Sequence, residues 1–406
     1  MSRELSWTSL VTRHRPWVAA AFAVCALYGV GIALVSTDFL HRDWGFMAAT
    51  GYGAGAIAVL AWRSRGADLA LVLSLLGAVL VPLAWMATVG QGQPEVYVIM
   101  KSALSLVHEG TPYVPISVLR HSTNPDVYNP YLPSMTIFAL LWTAAPNVPL
   151  TDPRIWFGIV FLVVFAFSLR VAGARDYVRW ALLVTASPVI AFELCVGGDD
   201  GPMVAFLCLG FALLWRTARS QAARSNAVAA GLALGVASSM KATAWPAVVV
   251  AFALLYVRDG KREAWRFIAV AVAVVVVVVG PFTVLNPGSL FKNTVLFPLG
   301  LAGVQSAAAS PLLGHLLAQT GRLGHTIVVI LLVAAVLAIG VSLVIRPPRD
   351  VPAATWRLVI GLSVLFVLAP STRFGYFIYP AALVAWLLIA QAGRASRNVS
   401  SWPDSS

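Results

Sequence analysis

The chain has few charged residues and few cysteines. Only 11% of its 406 residues are charged, whereas 59% are hydrophobic, which is more than a soluble globular protein can bury. The three cysteines lie in or beside apolar runs without metal-site spacing, so we interpret them as core residues. The apolar runs are continuous rather than alternating, which excludes an outer-membrane barrel. We therefore predict an all-α polytopic membrane protein.

The basic residues are distributed in short clusters between the apolar runs. A net charge of +12 first suggests nucleic acid. However, clusters such as Arg63 with Arg65 and Arg346 with Arg349 follow the pattern of cytoplasmic loops in membrane proteins. We expect membrane lipids, and no nucleic acid, as partners. At ~20 apolar residues per crossing, the sequence predicts about twelve transmembrane helices, two long extracytoplasmic loops and cytoplasmic termini.

The predicted helices form one domain. We expect a single integral membrane domain over residues 1–396 and a disordered cytoplasmic tail over 397–406. The first apolar run, residues 17–36, is too long for the hydrophobic region of a cleavable signal peptide. The predicted localisation is the cell membrane, with several passes.

The longest polar stretch, residues 90–130, begins the first extracytoplasmic loop. Apolar residues at helical spacing predict a helix over 96–108, either lying on the membrane surface or packed as an ordinary loop helix. The apolar run that follows, 131–145, is short, and we expect it to dip into the membrane or lie flat. Further along, the short apolar runs 226–240 and 245–256 flank Lys241. They predict two half-helices that meet at this lysine and line a cavity.

This topology places several polar residues at one membrane face. They are Glu95, Asp126, Asp199, Asp200, Lys241, His315 and Arg373. Charges near membrane depth are costly, which favours a functional interpretation. A carboxylate could act as general base on a hydroxyl, and Lys241 with Arg373 could hold a phosphate. Glu193 lies within an apolar run and must face a polar interior; its role is open.

Each acidic candidate also has a structural interpretation. Glu95 could stabilise the first turn of its helix, where an acidic side chain is favourable. Asp199 and Asp200 could cap a helix that begins at Pro202. Adjacent carboxylates could also hold a hard cation.

Six short motifs carry a resemblance to a known family. They are Glu95-Val96-Tyr97, Gly110-Thr111-Pro112-Tyr113, Tyr128-Asn129-Pro130-Tyr131-Leu132-Pro133, Gly197-Gly198-Asp199-Asp200, Lys241-Ala242-Thr243-Ala244-Trp245-Pro246 and Arg373-Phe374-Gly375-Tyr376. Their order, over residues 93–379, resembles the membrane glycosyltransferases of the GT-C superfamily. In particular it is similar to bacterial glycosyltransferase family 87, which includes polyprenol-phosphate-mannose-dependent mannosyltransferases.

The resemblance implies a GT-C-like helical bundle with an extracytoplasmic active site. It implies a polyprenyl-phosphate sugar donor, a lipid or glycan acceptor in the cell envelope, and an inverting displacement. It also implies no nucleotide sugar, and likeness to a metal-independent branch argues against a metal or other cofactor. We therefore expect a hexosyltransferase that transfers a hexose, with mannose as the first expectation.

One position departs from the family pattern. Where the family usually has an acidic general base, this sequence has Gln93, which cannot take a proton, and Glu95 follows two residues later. We predict Glu95 as the catalytic base, with Asp126 or Asp199 as alternatives. The substrate-binding candidates are Tyr97, Asp126, Asp199, Asp200, Lys241, His315, Arg373 and Tyr376.

Two other functional classes stay open from the sequence. A catalytically inactive family member is compatible with Gln93. A transporter or flippase would also have broken helices and buried charges, although the two halves of the chain show no duplication of the kind that many transporters carry. A path between both membrane faces would favour transport, whereas a site open only outward and toward lipid would favour the enzyme.

Overall fold

The computed structural model describes residues 7–215, 220–304, 306 and 308–400, and it describes the backbone alone for 220–225 and 396–400. Helices dominate these ranges. No β-strand forms within them, and Ala309 makes an isolated parallel bridge with Thr372. The all-α prediction is confirmed. The last helix runs to Ser400, so residues 397–400 of the predicted disordered tail are helical, and 401–406 lie outside the described ranges.

The N-terminal half of the chain contains twelve α-helices. The first five are α1 (Trp7–Arg13), α2 (Arg15–Val35), α3 (Phe39–Ala61), α4 (Gly66–Leu75) and α5 (Val81–Thr88), and a π-helical turn (Leu76–Leu80) joins the last two. The next segment contains α6 (Pro94–Glu109), α7 (Ile116–His121) and α8 (Leu140–Ala144), with 3-10 turns at Pro125–Val127, Pro133–Ala139 and Pro149–Thr151. Next come α9 (Pro153–Ala172), α10 (Tyr177–Thr185), α11 (Pro188–Val196) and α12 (Asp200–Leu214).

The described residues from 220 onward contain eight α-helices. These are α13 (Ser220–Met240), α14 (Trp245–Arg258), α15 (Lys261–Leu285), α16 (Pro287–Phe291), α17 (Leu313–Ala318), α18 (Arg322–Ile345), α19 (Val351–Leu368) and α20 (Ile378–Ser400). Three short turns complete the set, namely 3-10 helices at Ala242–Ala244 and Phe374–Phe377 and a π-helix at Lys292–Leu296.

Eight helices of the described chain are long and apolar enough to cross a membrane. They are Arg15–Val35, Phe39–Ala61, Gly66–Thr88, Pro153–Ala172, Lys261–Leu285, Arg322–Ile345, Val351–Leu368 and Phe374–Ala395. The pair α10 and α11 is bent by 64° and would add a ninth if the two helices cross together. Several shorter apolar helices lie between these, so the membrane class of the protein is confirmed, whereas the count of about twelve spans is not.

The run 131–145 folds as short helices. A 3-10 segment (Pro133–Ala139) leads into the five-residue helix α8. At ~1.5–2 Å of rise per residue, these two pieces together fall short of the ~30 Å of a bilayer core. Their length agrees with the expectation that this run does not cross the membrane.

Helix α6 packs against other parts of the protein through its apolar face. It was predicted over 96–108 and runs from Pro94 to Glu109. Val96, Ile99, Met100 and Ala103 are buried, and the helix contacts the 3-10 segment Pro133–Ala139 and α8. This face is therefore that of an ordinary packed loop helix.

The chain breaks at Lys241. Helix α13 ends at Met240, Lys241 is extended (φ −156°, ψ 140°), and a 3-10 turn leads into α14. The predicted meeting of two helices at this lysine is confirmed. Because Lys241 is extended, its side chain does not follow the direction of either helix. It lies beside Asp199 and Asp200 at the start of α12.

Candidate functional site

A cavity of about 440 Å³ opens between the segment that begins with α6 and the residues that precede α20. Its polar residues include Glu95, Asp126, Lys241, Arg373 and Tyr376. The remaining wall is largely apolar, and includes Val98, Val295, Phe297, Leu299, Leu332, Leu365 and Phe366. A tighter recess shares Glu95, Lys241 and Arg373 with the cavity and adds Gln93, Glu193, Asp199 and Asp200. Five of the residues predicted for the site therefore line the cavity itself, and two more lie behind it.

Glu95 and Arg373 form an ion pair in this cavity. The Nη2 atom of Arg373 lies 2.6 Å from Oε1 of Glu95, and each side chain is 20% exposed. The other oxygen, Oε2 of Glu95, is buried and has no hydrogen-bond partner in the described residues, and the same holds for Nε of Arg373. The pair thus contains one buried acceptor and one buried donor that have no partner in the described residues.

Lys241 forms the second charged centre. Its Nζ lies 2.7 Å from Oδ1 of Asp200 and 3.6 Å from Oδ2 of Asp199. The ammonium also lies over the rings of Tyr131 and Tyr376, at 5.3 and 5.1 Å from the ring centroids. Two carboxylates and two aromatic faces are the surroundings that a partly buried cation needs.

A hydrogen bond from Tyr379, whose hydroxyl also contacts Thr243, fixes the carboxylate of Asp200. The hydroxyl of Tyr379 donates to Oδ1 of Asp200 at 2.6 Å, and Thr243 lies 2.8 Å from the same hydroxyl. Asp199 occupies the N-cap position of α12 but makes no side-chain capping bond. The helix-capping interpretation of the acidic pair is therefore wrong, since both carboxylates turn toward Lys241.

Burial and neighbouring charges shift the pKa values of Asp199 and Lys241. Burial raises the pKa of Asp199 to about 7, against the opposing effect of Lys241. Burial alone would lower the pKa of Lys241, but Asp199 and Asp200 together raise it well above its ordinary value. Lys241 is thus a permanent cation, whereas Asp199 changes charge near neutral pH.

Two glycines allow the chain to turn before the acidic pair. Gly198 has a positive φ of +47°, a conformation that side-chain-bearing residues avoid. A Cβ at Gly198 would lie 2.7 Å from the Cα of Leu194, and one at Gly197 would lie 2.9 Å from Oε1 of Gln93. The Gly-Gly-Asp-Asp motif is therefore a tight turn that packs against Gln93 and places two carboxylates beside Lys241.

Two predicted residues lie apart from this cavity. The hydroxyl of Tyr97 donates to the carbonyl of Gly90 at 3.1 Å, and Tyr97 lines a second cavity of about 450 Å³. The ring of His315 lies with Nδ1 2.8 Å from the carbonyl of Pro370, and Nε2 2.8 Å from Gln319. The structure places Tyr97 on the other side of α6 and His315 behind the cavity rim.

Several residues at the site were not predicted from the sequence. Tyr379 and Thr243 support Asp200, and Gln93 lies 3.4 Å from Arg373 through its Oε1 atom. Glu193, whose role was open, lies in the recess against Gly375, where an added Cβ would overlap its carboxylate. A carboxylate inside an apolar run was the one sequence signal that pointed to an additional site residue.

The recess holds more acids than bases. Four carboxylates, those of Glu95, Glu193, Asp199 and Asp200, lie with the two cations Lys241 and Arg373. In the described part of the chain, no group of three or more His, Cys, Asp or Glu side chains is placed to hold a metal ion. Both cations are paired in this structure, so an anionic ligand would have to exchange with a carboxylate.

Long apolar helices around a charged, largely apolar-walled cavity define a multi-pass membrane protein. Comparison with protein families then identifies the family. The model of Glycosyltransferase family 87 matches residues 129–371. The chain belongs to this family. The match includes Asp199, Asp200 and Lys241, and it begins after Glu95 and ends before Arg373.

A search of solved structures finds ArnT from Cupriavidus metallidurans, in a crystal structure of the apo state. The likeness has a TM-score of 0.48 and 17% sequence identity. It covers 79% of this chain and 59% of the ArnT chain, so the protein spans about three-fifths of that relative. A search of curated proteins finds no match.

Proposed function

We propose that the protein transfers a hexose, with mannose as the expected sugar, from a polyprenyl-phosphate donor to a lipid or glycan acceptor of the cell envelope. The reaction inverts the configuration at the anomeric carbon and takes place on the extracytoplasmic face. The observation that carries the proposal is the shared cavity of Glu95, Lys241 and Arg373 in a chain of Glycosyltransferase family 87. This cavity combines the unpartnered Oε2 atom of Glu95 with the cations Lys241 and Arg373 inside a largely apolar wall.

Glu95 is the proposed general base. Its Oε2 atom has no hydrogen-bond partner in the described residues, while Oε1 is held by Arg373 at 2.6 Å. A carboxylate oxygen without a partner can accept the proton of an acceptor hydroxyl. Asp200 suits this role less well because Lys241 and Tyr379 both contact its Oδ1 atom. Asp199 is the alternative, since its Oδ2 atom is also buried without a hydrogen-bond partner in the described residues.

Lys241 and Arg373 are the proposed partners of the donor phosphate. The acceptor oxygen forms a bond to the anomeric carbon as its proton passes to Glu95. The bond from that carbon to the phosphate oxygen breaks with its electron pair, which leaves polyprenyl phosphate. The two cations stabilise the negative charge on this leaving group, and poor access of water to the site strengthens the effect. Arg373 reaches the phosphate by exchanging its contact with Glu95 for a phosphate oxygen.

The apolar wall supports a lipid-linked donor. Phe297, Leu299, Leu332 and Phe366 line the same cavity as the charged residues. A volume of about 440 Å³ is within the ~300–1,000 Å³ of small-molecule sites. A prenyl chain gains free energy from such a wall by leaving water, whereas a nucleotide sugar would bring no apolar chain to it.

The arginines at the opposite end of the bundle support an outward-facing site. The Nη1 atom of Arg258, at the end of α14, donates to the carbonyl of Leu214 at the end of α12. Arg394 lies over the ring of Trp215 and donates to the carbonyl of Ala172. The acidic residues lie at the other ends of these helices. Because arginines concentrate on the cytoplasmic side, the cavity is expected to face away from the cytoplasm.

A reconstituted assay tests this function. The purified full chain in lipid nanodiscs is incubated with polyprenyl-phosphate mannose and an envelope lipid extract, and products are identified by mass spectrometry. A hexose gain in an acceptor, together with release of polyprenyl phosphate, is expected for the natural sequence and not for Glu95→Gln. A donor panel with polyprenyl-phosphate glucose checks the sugar.

The other outcomes have separate meanings. Turnover of the glucose donor alone would overturn mannose and keep the transferase. Movement of the mannose donor across liposomes without consumption would identify a flippase. Binding of every donor with no consumption in any acceptor extract would indicate an inactive family member.

A further inference from the structure

We propose that Gln93 and His41 are positioning residues that hold Arg373 for the donor phosphate. This inference rests on the proposed function, because it assigns work to residues around the proposed phosphate ligand. It gives Gln93 a role that does not require proton transfer. It also links the first helical hairpin, formed by α2 and α3, to the site.

Gln93 is anchored by its backbone and by its side chain. Its N–H donates to the carbonyl of Val196 at 2.8 Å. Its side chain lies against Gly197, where a Cβ would approach Oε1 to 2.9 Å. The two ends of its amide then contact different residues: Nε2 lies 2.8 Å from Nε2 of His41, and Oε1 lies 3.4 Å from Nη1 of Arg373.

The chemistry of Arg373 determines how this chain of contacts is oriented. A guanidinium has donors only, so Gln93 must present its carbonyl oxygen to Arg373 and its NH₂ group to His41. Nε2 of His41 must then accept, which places the proton of the neutral ring on Nδ1. That Nδ1 lies 3.1 Å from the hydroxyl of Ser36. The carboxylate of Asp38 lies 3.7 Å from Nε2 of His41 and is the charged group beside this ring.

Arg373 is therefore held by two partners of different kinds. Glu95 holds Nη2 at 2.6 Å with a full charge, and Gln93 holds Nη1 at 3.4 Å with a neutral oxygen. The second distance is longer than the usual 2.7–3.2 Å, so a small movement of Arg373 away from Glu95 can be accommodated. When a phosphate takes the place of Glu95, Gln93 keeps the guanidinium in the cavity without competing for its charge.

The unsatisfied Nε donor of Arg373 supports its role as a ligand of the donor phosphate. Its Nε is buried and has no hydrogen-bond partner in the described residues. An arginine kept for packing would be expected to have its buried donors satisfied. Glu95 and Gln93 contact the two terminal nitrogens of Arg373, while its Nε has no partner in the described residues. An arginine that binds an anion would have such an unsatisfied donor before the anion is bound.

Substitutions of His41 can show whether its hydrogen bond to Gln93 or only its packing affects Arg373. The amide of a glutamine side chain reaches the place of Nε2 of histidine, whereas that of an asparagine reaches only the place of Nδ1. His41→Gln should therefore keep the contact with Gln93, and His41→Asn and His41→Ala should lose it. Gln93→Ala removes the contact with Arg373 directly, and Gln91→Ala, an exposed neighbour, is the matched control.

The experiment measures donor KM and kcat for polyprenyl-phosphate mannose in nanodiscs. Gln93→Ala, His41→Ala and His41→Asn are each expected to raise the donor KM about tenfold, the usual size for a lost hydrogen bond near a charge, with a smaller change in kcat. His41→Gln and Gln91→Ala should retain the natural KM. The double variant Gln93→Ala with His41→Ala should match Gln93→Ala alone, because both act through the same contact.

Two results would overturn the proposal: an unchanged KM in Gln93→Ala, or equal values for His41→Gln and His41→Asn. If the natural sequence transfers no sugar, the proposed function fails, and binding of polyprenyl phosphate alone then decides the positioning role. Weaker binding in Gln93→Ala but not in Gln91→Ala would support it. Equal binding in both would end it.

Discussion

Arg373, at the turn before the last helix, contacts Glu95, at the first turn of α6, with 2.6 Å between Nη2 and Oε1. The contact joins the segment that contains α6 to the residues before α20. It brings the proposed base and the proposed phosphate ligand into direct contact. One ion pair thus couples the two chemical roles of the site, because loss of either partner changes the surroundings of the other.

Replacing the proposed base should abolish transfer while leaving the fold intact. Glu95→Gln removes proton acceptance and keeps the shape of the side chain, so the rate of hexose transfer should fall by ~10²–10⁴. Donor binding should not weaken, because Arg373 exchanges its contact with residue 95 for the phosphate when the donor binds. The measurement is the rate of polyprenyl phosphate release in nanodiscs, beside elution of a single folded species in size-exclusion chromatography.

Glu109→Gln is the control for this experiment. Glu109 is exposed at the other end of the same helix, so its neutral variant should transfer at the natural rate. Equal rates in Glu95→Gln and the natural protein would move the base to Asp126 or Asp199.

Removing the lysine should cost both stability and donor binding. Lys241→Ala leaves Asp199 and Asp200 buried beside each other without a cation. Breaking a buried ion pair from one side costs ~3–5 kcal/mol, so the thermal midpoint in detergent should fall clearly. Lys101→Ala, on the exposed face of α6, should leave that midpoint unchanged.

A second substitution separates the two effects of Lys241. Lys241→Ala combined with Asp200→Asn removes one unpaired charge and should recover part of the midpoint, while binding of polyprenyl phosphate stays weak. Recovery of binding along with stability would show that Lys241 serves the fold and not the phosphate.

The outline of the fold could be predicted from the sequence because it depends on local patterns. Apolar runs gave the helices, and the charge between two short runs gave the break at Lys241. The pairing of Glu95 with Arg373 could not be predicted, since it joins residues far apart in the chain and depends on how the helices pack. Tyr97 shows a different failure: residues two apart on a helix do not face each other, so a tyrosine two positions after Glu95 lies on another side of α6.

Donor affinity should depend on pH through Asp199. Burial raises the pKa of Asp199 to about 7, so its carboxyl loses a proton as pH rises through neutrality. The new negative charge, 3.6 Å from Nζ of Lys241, then competes with the donor phosphate. The donor KM should therefore be lower at pH 6 than at pH 8.

Asp199→Asn tests the origin of this dependence. The asparagine carries no charge at any pH, so its donor KM should stay close to the low-pH value across the range. A KM that still rises between pH 6 and pH 8 in this variant would assign the titration to another group.

The turn before the acidic pair should not tolerate a side chain. Gly198→Ala forces a left-handed residue to carry a Cβ, which costs ~1–2 kcal/mol, and that Cβ would lie 2.7 Å from the backbone of Leu194. Both effects displace Asp199 and Asp200 from Lys241. The rate of transfer should therefore fall strongly, while the thermal midpoint should fall only slightly. Gly53→Ala is the matched control, because a Cβ there meets no atom within 4 Å and alanine favours the helix. Natural transfer by Gly198→Ala, at a lowered thermal midpoint, would show that the acidic pair does not need its present place to support the reaction.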